Sequence, residues 1–76
     1  MPRLPVVKAR EVVKVILEFG FRQHGKMKGS HLILKHVDGR RTTIPLHGKD
    51  IPTGTLMAIL RDIKISKEEF VKLLKK

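Results

Sequence analysis

The chain has 76 residues, 17 Lys and Arg against 7 Asp and Glu, no cysteine, and a formal net charge of +10 at pH 7. That length points to one domain over residues 1–76, near the lower limit of what a single apolar core can hold, and leaves no room for separate cofactor and substrate domains. The lack of cysteine excludes a disulfide framework, a thiolate metal site and a thiol nucleophile. No apolar run is long enough to cross a membrane, and the start, MPRLPVVKARE, lacks the apolar stretch of a signal peptide, so the cytoplasm is the expected location.

A chain this basic is expected to meet something acidic, with nucleic acid ahead of an acidic protein or an anionic membrane. The charge is not a tail on a neutral body. Residues 1–38 carry 8 basic and 3 acidic side chains and residues 39–76 carry 9 and 4, so each half is +5. A hydrophobic content of 41% with clear periodicity argues against a disordered polycation. Three Phe with no Trp or Tyr argue against a base-stacking platform. The absence of Asn, with many Lys, Arg, Ile and Val, hints at a heat-adapted source.

Along the chain, residues 1–7 read as an extended lead-in held by two prolines. Ala9, Val12, Val13, Ile16 and Leu17 recur at helical spacing and predict a helix over about 8–19, with Val15 off the stripe, so that burial broader than one face is expected, and with Gly20 as its stop. Residues 21–24 alternate like an edge strand, and the two glycines of 25–29 mark a turn. Residues 31–36 read as a strand with Leu32 and Leu34 on one face and His31, Ile33 and Lys35 on the other. Asp38-Gly39 is a hairpin signal, followed by a third strand over 41–46 with Thr42, Ile44 and Leu46 on one face. After a loop, Leu56, Ile59, Leu60 and Ile63 predict a helix over about 53–62, with Thr53 as N-cap. Ser66 opens a third helix, with Ser66 and Glu69 at capping-box spacing and Ile65 and Phe70 at staple spacing. The expected fold is a two-layer α+β domain of helix, three-stranded antiparallel sheet and helix, with a short extra C-terminal helix, the helices covering one face of the sheet.

Four His are the side chains suited to proton transfer near neutral pH. His24 and His36 read as solvated surface residues. His47, at the mouth of a loop, either orients that loop or touches a ligand. His31 stands out because it follows Gly29-Ser30 at a strand start: glycine admits close backbone approach, a hydroxyl bonds phosphate oxygen, and a fixed imidazole exchanges protons. Lys26, Lys28 and Lys35 surround it, with Arg40 and Arg41 one hairpin away, so residues 22–41 hold 6 basic side chains and 1 acidic. No metal site is expected, because His31 and His36 lie five apart on a strand and point to opposite faces, with few acidic ligands nearby. There is no Gly-rich phosphate loop ending in Gly-Lys-Ser/Thr and no Ser-His-Asp arrangement. The Gly54-Thr55 amides at a helix start read as ordinary capping ahead of an anion site.

Gly-Phe at 20–21, Gly-Ser-His at 29–31, Ile-Pro-x-His at 44–47 and Pro-x-Gly-Thr-Leu-x-x-Ile-Leu at 52–60, in this order, resemble the HicA toxins of prokaryotic toxin–antitoxin pairs. The resemblance covers about residues 8–65, and Ser66–Lys76 resembles an extra helix carried by some members. It implies a double-stranded-RNA-binding-like fold and a cytoplasmic ribonuclease that cleaves mRNA and is held inactive by a HicB-type antitoxin. It assigns the catalytic role to His31 and a supporting role to His47. The RNA contacts expected are Lys26, Lys28, Gly29, Ser30, Lys35, Arg40, Arg41 and His47. No cofactor or metal is expected, since cleavage through the RNA 2′-hydroxyl needs neither. The rival reading is a non-catalytic RNA-binding module of the same fold, and a third is a basic partner for an acidic protein.

Overall fold

The computed structural model describes residues 4–46, 48 and 50–75. Its elements run α1 (Ala9–Glu18), β1 (Arg22–Gln23), β2 (His31–Lys35), β3 (Arg41–Pro45), α2 (Thr53–Ile63) and α3 (Lys67–Leu74). The strands form one antiparallel sheet in the order β1-β2-β3. This is the α+β order expected, a double-stranded-RNA-binding-like arrangement with an added C-terminal helix.

Helix α1 starts where the Glu11 carboxylate accepts the Lys8 amide at 2.9 Å, satisfying one N-terminal donor. Its buried residues are Val12, Val15 and Ile16, whereas Leu17 is exposed. The buried arc is therefore turned toward Val15 relative to the stripe read from spacing. The cause is α3: Val15 lies beside Leu73 and Leu74, so α1 packs against a helix as well as the sheet. The helix stops at Gly20, whose φ is +97°. A Cβ there would also come within 3.2 Å of His36 Nε2, so backbone conformation and close approach both require glycine. The next residue, Phe21, is fully buried.

In β2 and β3 the pairing runs from His31 opposite Pro45 to Lys35 opposite Arg41. Burial alternates along both strands: Leu32, Leu34, Thr42 and Ile44 face the helices, and the intervening residues face outward. The buried Thr42 hydroxyl donates to Asp62 Oδ2 at 3.0 Å, so the one buried polar side chain among the described residues is satisfied by α2.

Three boundaries differ from the sequence reading. Val7 and Ile51, read as lead-in and loop, are both buried, and the Ile51 amide donates to the Val7 carbonyl at 2.8 Å. Thr53 is the first helical residue rather than the N-cap of α2. Pro52 takes that place, because its carbonyl accepts the first helical bond from Leu56 at 2.9 Å and its ψ of 145° is extended. At the other end α2 reaches Ile63 and closes on Lys64, a non-glycine residue at φ +56°. Helix α3 begins as read: Ser66 Oγ accepts the Glu69 amide at 3.1 Å, and Ile65 and Phe70 are both buried. Among the described residues no helix is long and apolar enough to cross a membrane.

Candidate functional site

The helices cover one face of the sheet and leave the other open. The pairing places Arg22 opposite Lys35, and Lys35 opposite Arg41. Continued by one residue, it brings His24 opposite Ile33, whose carbonyl accepts the His24 amide at 2.9 Å. Directly opposed residues share a face. The open face therefore carries three rows: Arg22, Lys35 and Arg41 at one end, His24, Ile33 and Thr43 in the middle, and His31 with Pro45 at the other end.

His31 is mounted on both sides. Its amide donates to the Lys28 carbonyl at 3.0 Å and its carbonyl accepts the Lys28 amide at 3.1 Å, closing a two-residue turn through Gly29 and Ser30. Gly29 takes φ +60°, as such a turn demands, and an added Cβ there would meet open space. On the far side the Leu46 amide donates to the Ser30 carbonyl at 2.6 Å. The backbone under the imidazole is thus fixed to a turn on one flank and to β3 on the other, with the side chain exposed. Lys28, directly opposite, has its Cβ about 5 Å away on the same face. An imidazole on an open surface, with a lysine as its cross-strand neighbour, can bind a phosphodiester and move a proton at it.

Of the residues expected at the site, Lys28, Gly29, Ser30 and His31 come together in this turn, and Lys26 lies exposed in the same connection. Lys35 and Arg41 are exposed on the same face, four residues along β2 and so about 13 Å away. Arg40 points elsewhere. Its Nε donates to Asp38 Oδ2 at 2.8 Å, its Nη1 to the Ile63 carbonyl at 2.6 Å, and its guanidinium lies 5.1 Å from the centre of the Phe21 ring. The reason is register: Arg40 precedes β3, one residue out of phase with Arg41. Hydrogen bonds from the Arg40 amide and guanidinium hold the Asp38 carboxyl below its ordinary range. His47 lies outside the described residues.

His36 is also not the solvated residue expected. It is half-buried, edge-on to Phe21 with ring centroids 5.1 Å apart, and its Nδ1 accepts the Asp38 amide at 3.1 Å. The same nitrogen is 3.1 Å from Asp38 Oδ1, so a protonated ring would pair with the carboxylate instead. Arg22, which sequence reasoning did not single out, joins the basic row. The signal was available in the alternation of β1, but a two-residue strand gives too short a pattern to fix register. Among the described residues no group of three or more His, Asp or Glu is placed to hold a metal ion.

Over residues 9–65 the chain matches the family model described as the HicA toxin of bacterial toxin-antitoxin. The chain belongs to the HicA toxin family. It is the toxin side of a toxin–antitoxin pair, and such a pair supplies a protein partner. No curated protein matches the chain. The HicA match opens at the first residue of α1 and closes just before α3, so it contains the whole sheet and the Gly29-Ser30-His31 turn. Helix α3 lies beyond it, packed on α1.

Proposed function

We propose that this HicA toxin is an endoribonuclease that cuts mRNA in the cytoplasm, with His31 as the group that moves the proton. The observation that carries the reading is the Lys28–His31 turn: an exposed imidazole on a doubly fixed backbone, opposite an ammonium group, in a HicA family chain. In this reaction the RNA 2′-oxygen attacks the adjacent phosphorus, the P–O5′ bond breaks, and a 2′,3′-cyclic phosphate and a 5′-hydroxyl result. His31 takes the 2′-hydroxyl proton or gives one to the departing 5′-oxygen, and water carries the other proton. Lys28 stabilises the charge that builds on the phosphoryl oxygens. Gly29 and Ser30 offer the phosphate an open backbone and a hydroxyl, with Lys26 adding to the field. The nucleophile comes from the substrate, so the step needs no cofactor.

A HicB-type antitoxin silences the toxin in this reading by covering the open sheet face and His31. The test is incubation of purified chain with mRNA in EDTA. Cleavage by the wild type and none by His31→Ala, with RNA binding retained, is the expected result. Binding without cleavage by the wild type would leave the non-catalytic RNA-binding module in its place.

A further inference from the structure

We propose that the open face of the sheet carries a single RNA strand along β2, with Lys35 and Arg41 holding a second phosphate of that strand about 13 Å from the one at His31. The inference rests on the RNA reading above and names the form of the substrate and a second contact point. The spacing follows from the strand: four residues span about 13 Å, further than one sugar–phosphate link reaches, so the two phosphates are not neighbours in the RNA.

The charges on this face support it. Lys35 and Arg41 are directly opposed, exposed, and among the described residues neither donates to a protein group. Arg22 completes the row, although its guanidinium is partly engaged by the carbonyls of Leu17 at 3.2 Å and Phe21 at 2.7 Å. A recess of about 380 Å³ opens beside the row, lined by Arg22, Gln23, His24, Lys35, His36 and Val37. No acidic side chain stands on the open face among the described residues. The nearest, Asp38, is neutralised by Arg40. A face with only cations, imidazoles and small neutral side chains attracts a polyanion.

The composition of the middle row settles how the strand is held. Ile33 and Thr43 carry no ring, the imidazoles of His24 and His31 are the only aromatic rings among the described residues of this face, and Phe21 and Phe70 are buried while Phe19 is half-buried at the end of α1. The face therefore grips the backbone and leaves the bases unread, which gives affinity with little sequence preference. A single strand fits better than a duplex, because in-line attack by the 2′-oxygen requires a sugar–phosphate geometry that A-form pairing resists.

The test uses the full chain carrying His31→Ala, so that RNA survives the measurement, and fluorescein-labelled single-stranded RNA of roughly 12 nucleotides. Adding Lys35→Ala and Arg41→Ala should weaken binding about tenfold and reduce the slope of log affinity against log salt by about 1.4. Thr43→Glu, which leaves every cation in place, should weaken binding as well. Lys67→Ala with Lys72→Ala, which removes two charges from α3, should leave the slope unchanged, and circular dichroism reports whether each variant is folded. An unchanged slope in the Lys35/Arg41 variant overturns the proposal and leaves that row for an acidic protein. Equal losses from the α3 variant, or tighter binding of a duplex than of the single strand, also overturn it. Failure of the cleavage reading shows separately, as wild-type chain that binds RNA and does not cut it.

Discussion

The Arg40 guanidinium donates to the carbonyl oxygen of Ile63 at 2.6 Å and so pins the β2–β3 hairpin to the C-terminal end of α2, 23 positions further along the chain. The contact places a cation at the negative end of the helix and satisfies a carbonyl the helix itself leaves open. The same group pairs with Asp38 and lies over Phe21. Arg40→Ala should therefore destabilise the fold by about 2 kcal/mol, read as a lower urea midpoint. Arg40→Lys should recover only part of this, because an ammonium group cannot serve Asp38 and Ile63 together in the guanidinium's fork geometry. RNA affinity of the folded Arg40→Lys variant should match the wild type.

Asp38 gives a pH signature for the same hairpin. Its carboxyl is held below the ordinary value of 3.8, first by the hydrogen bond from the Arg40 amide, against an opposing desolvation, with the Arg40 side chain adding to the lowering. A carboxylate with a depressed folded-state pKa stabilises in full above its unfolded value and loses that stabilisation as pH falls through the folded one. The wild type should thus lose melting temperature as pH drops from just above 3.8 downward. Asp38→Asn should show a flatter melting-temperature profile over that acidic window.

Lys64 is a place where the sequence sits off its conformational optimum. It closes α2 at φ +56°, in the left-handed region where a side chain costs about 1 kcal/mol relative to glycine. Lys64→Gly should raise stability by up to about 1 kcal/mol, which for a domain of this size is several degrees in melting temperature. A fall in melting temperature would show that the Lys64 charge at the helix end outweighs the strain.

Much of this fold was legible because its elements are amphipathic and its stops are glycines or capping residues. Strands β2 and β3 alternate cleanly, and Ser66 with Glu69 opens α3 as spacing predicts. What was not legible depends on the neighbour rather than on the segment. Val15 off the stripe announces a broader buried arc but not that α3 is what covers it, and the pairing of Val7 with Ile51 shows only in the structure. At the candidate site, the Gly29-Ser30-His31 turn was readable as a tripeptide. The division of labour between Arg40 and Arg41 was not, since adjacent cations look alike until strand register sends one inward and the other out.

The two glycines beside functional elements should respond differently. Gly20 and Gly29 both take positive φ, so alanine at either costs about 1 kcal/mol of backbone strain. At Gly29 the added Cβ meets open space, and at Gly20 it meets His36 Nε2 at 3.2 Å. Gly20→Ala should therefore lower stability more than Gly29→Ala, by about a further 1 kcal/mol. Gly29→Ala should in turn lower RNA cleavage more, since it disturbs the turn that fixes His31.

His31 and His36 bracket the same strand and should separate function from stability. His36 packs edge-on against the buried Phe21 and accepts the Asp38 amide, so His36→Ala removes an aromatic contact and a turn hydrogen bond, about 1–2 kcal/mol together. His31 is exposed, so His31→Ala should shift stability less than His36→Ala does. Cleavage should show the reverse order: lost in His31→Ala, and retained by His36→Ala at temperatures where that variant is folded. Thermal melts and a single-turnover cleavage assay on both variants decide it. Cleavage by His31→Ala at the wild-type rate would remove that residue from the chemistry, and loss of cleavage in folded His36→Ala would move the reacting imidazole to the other end of β2.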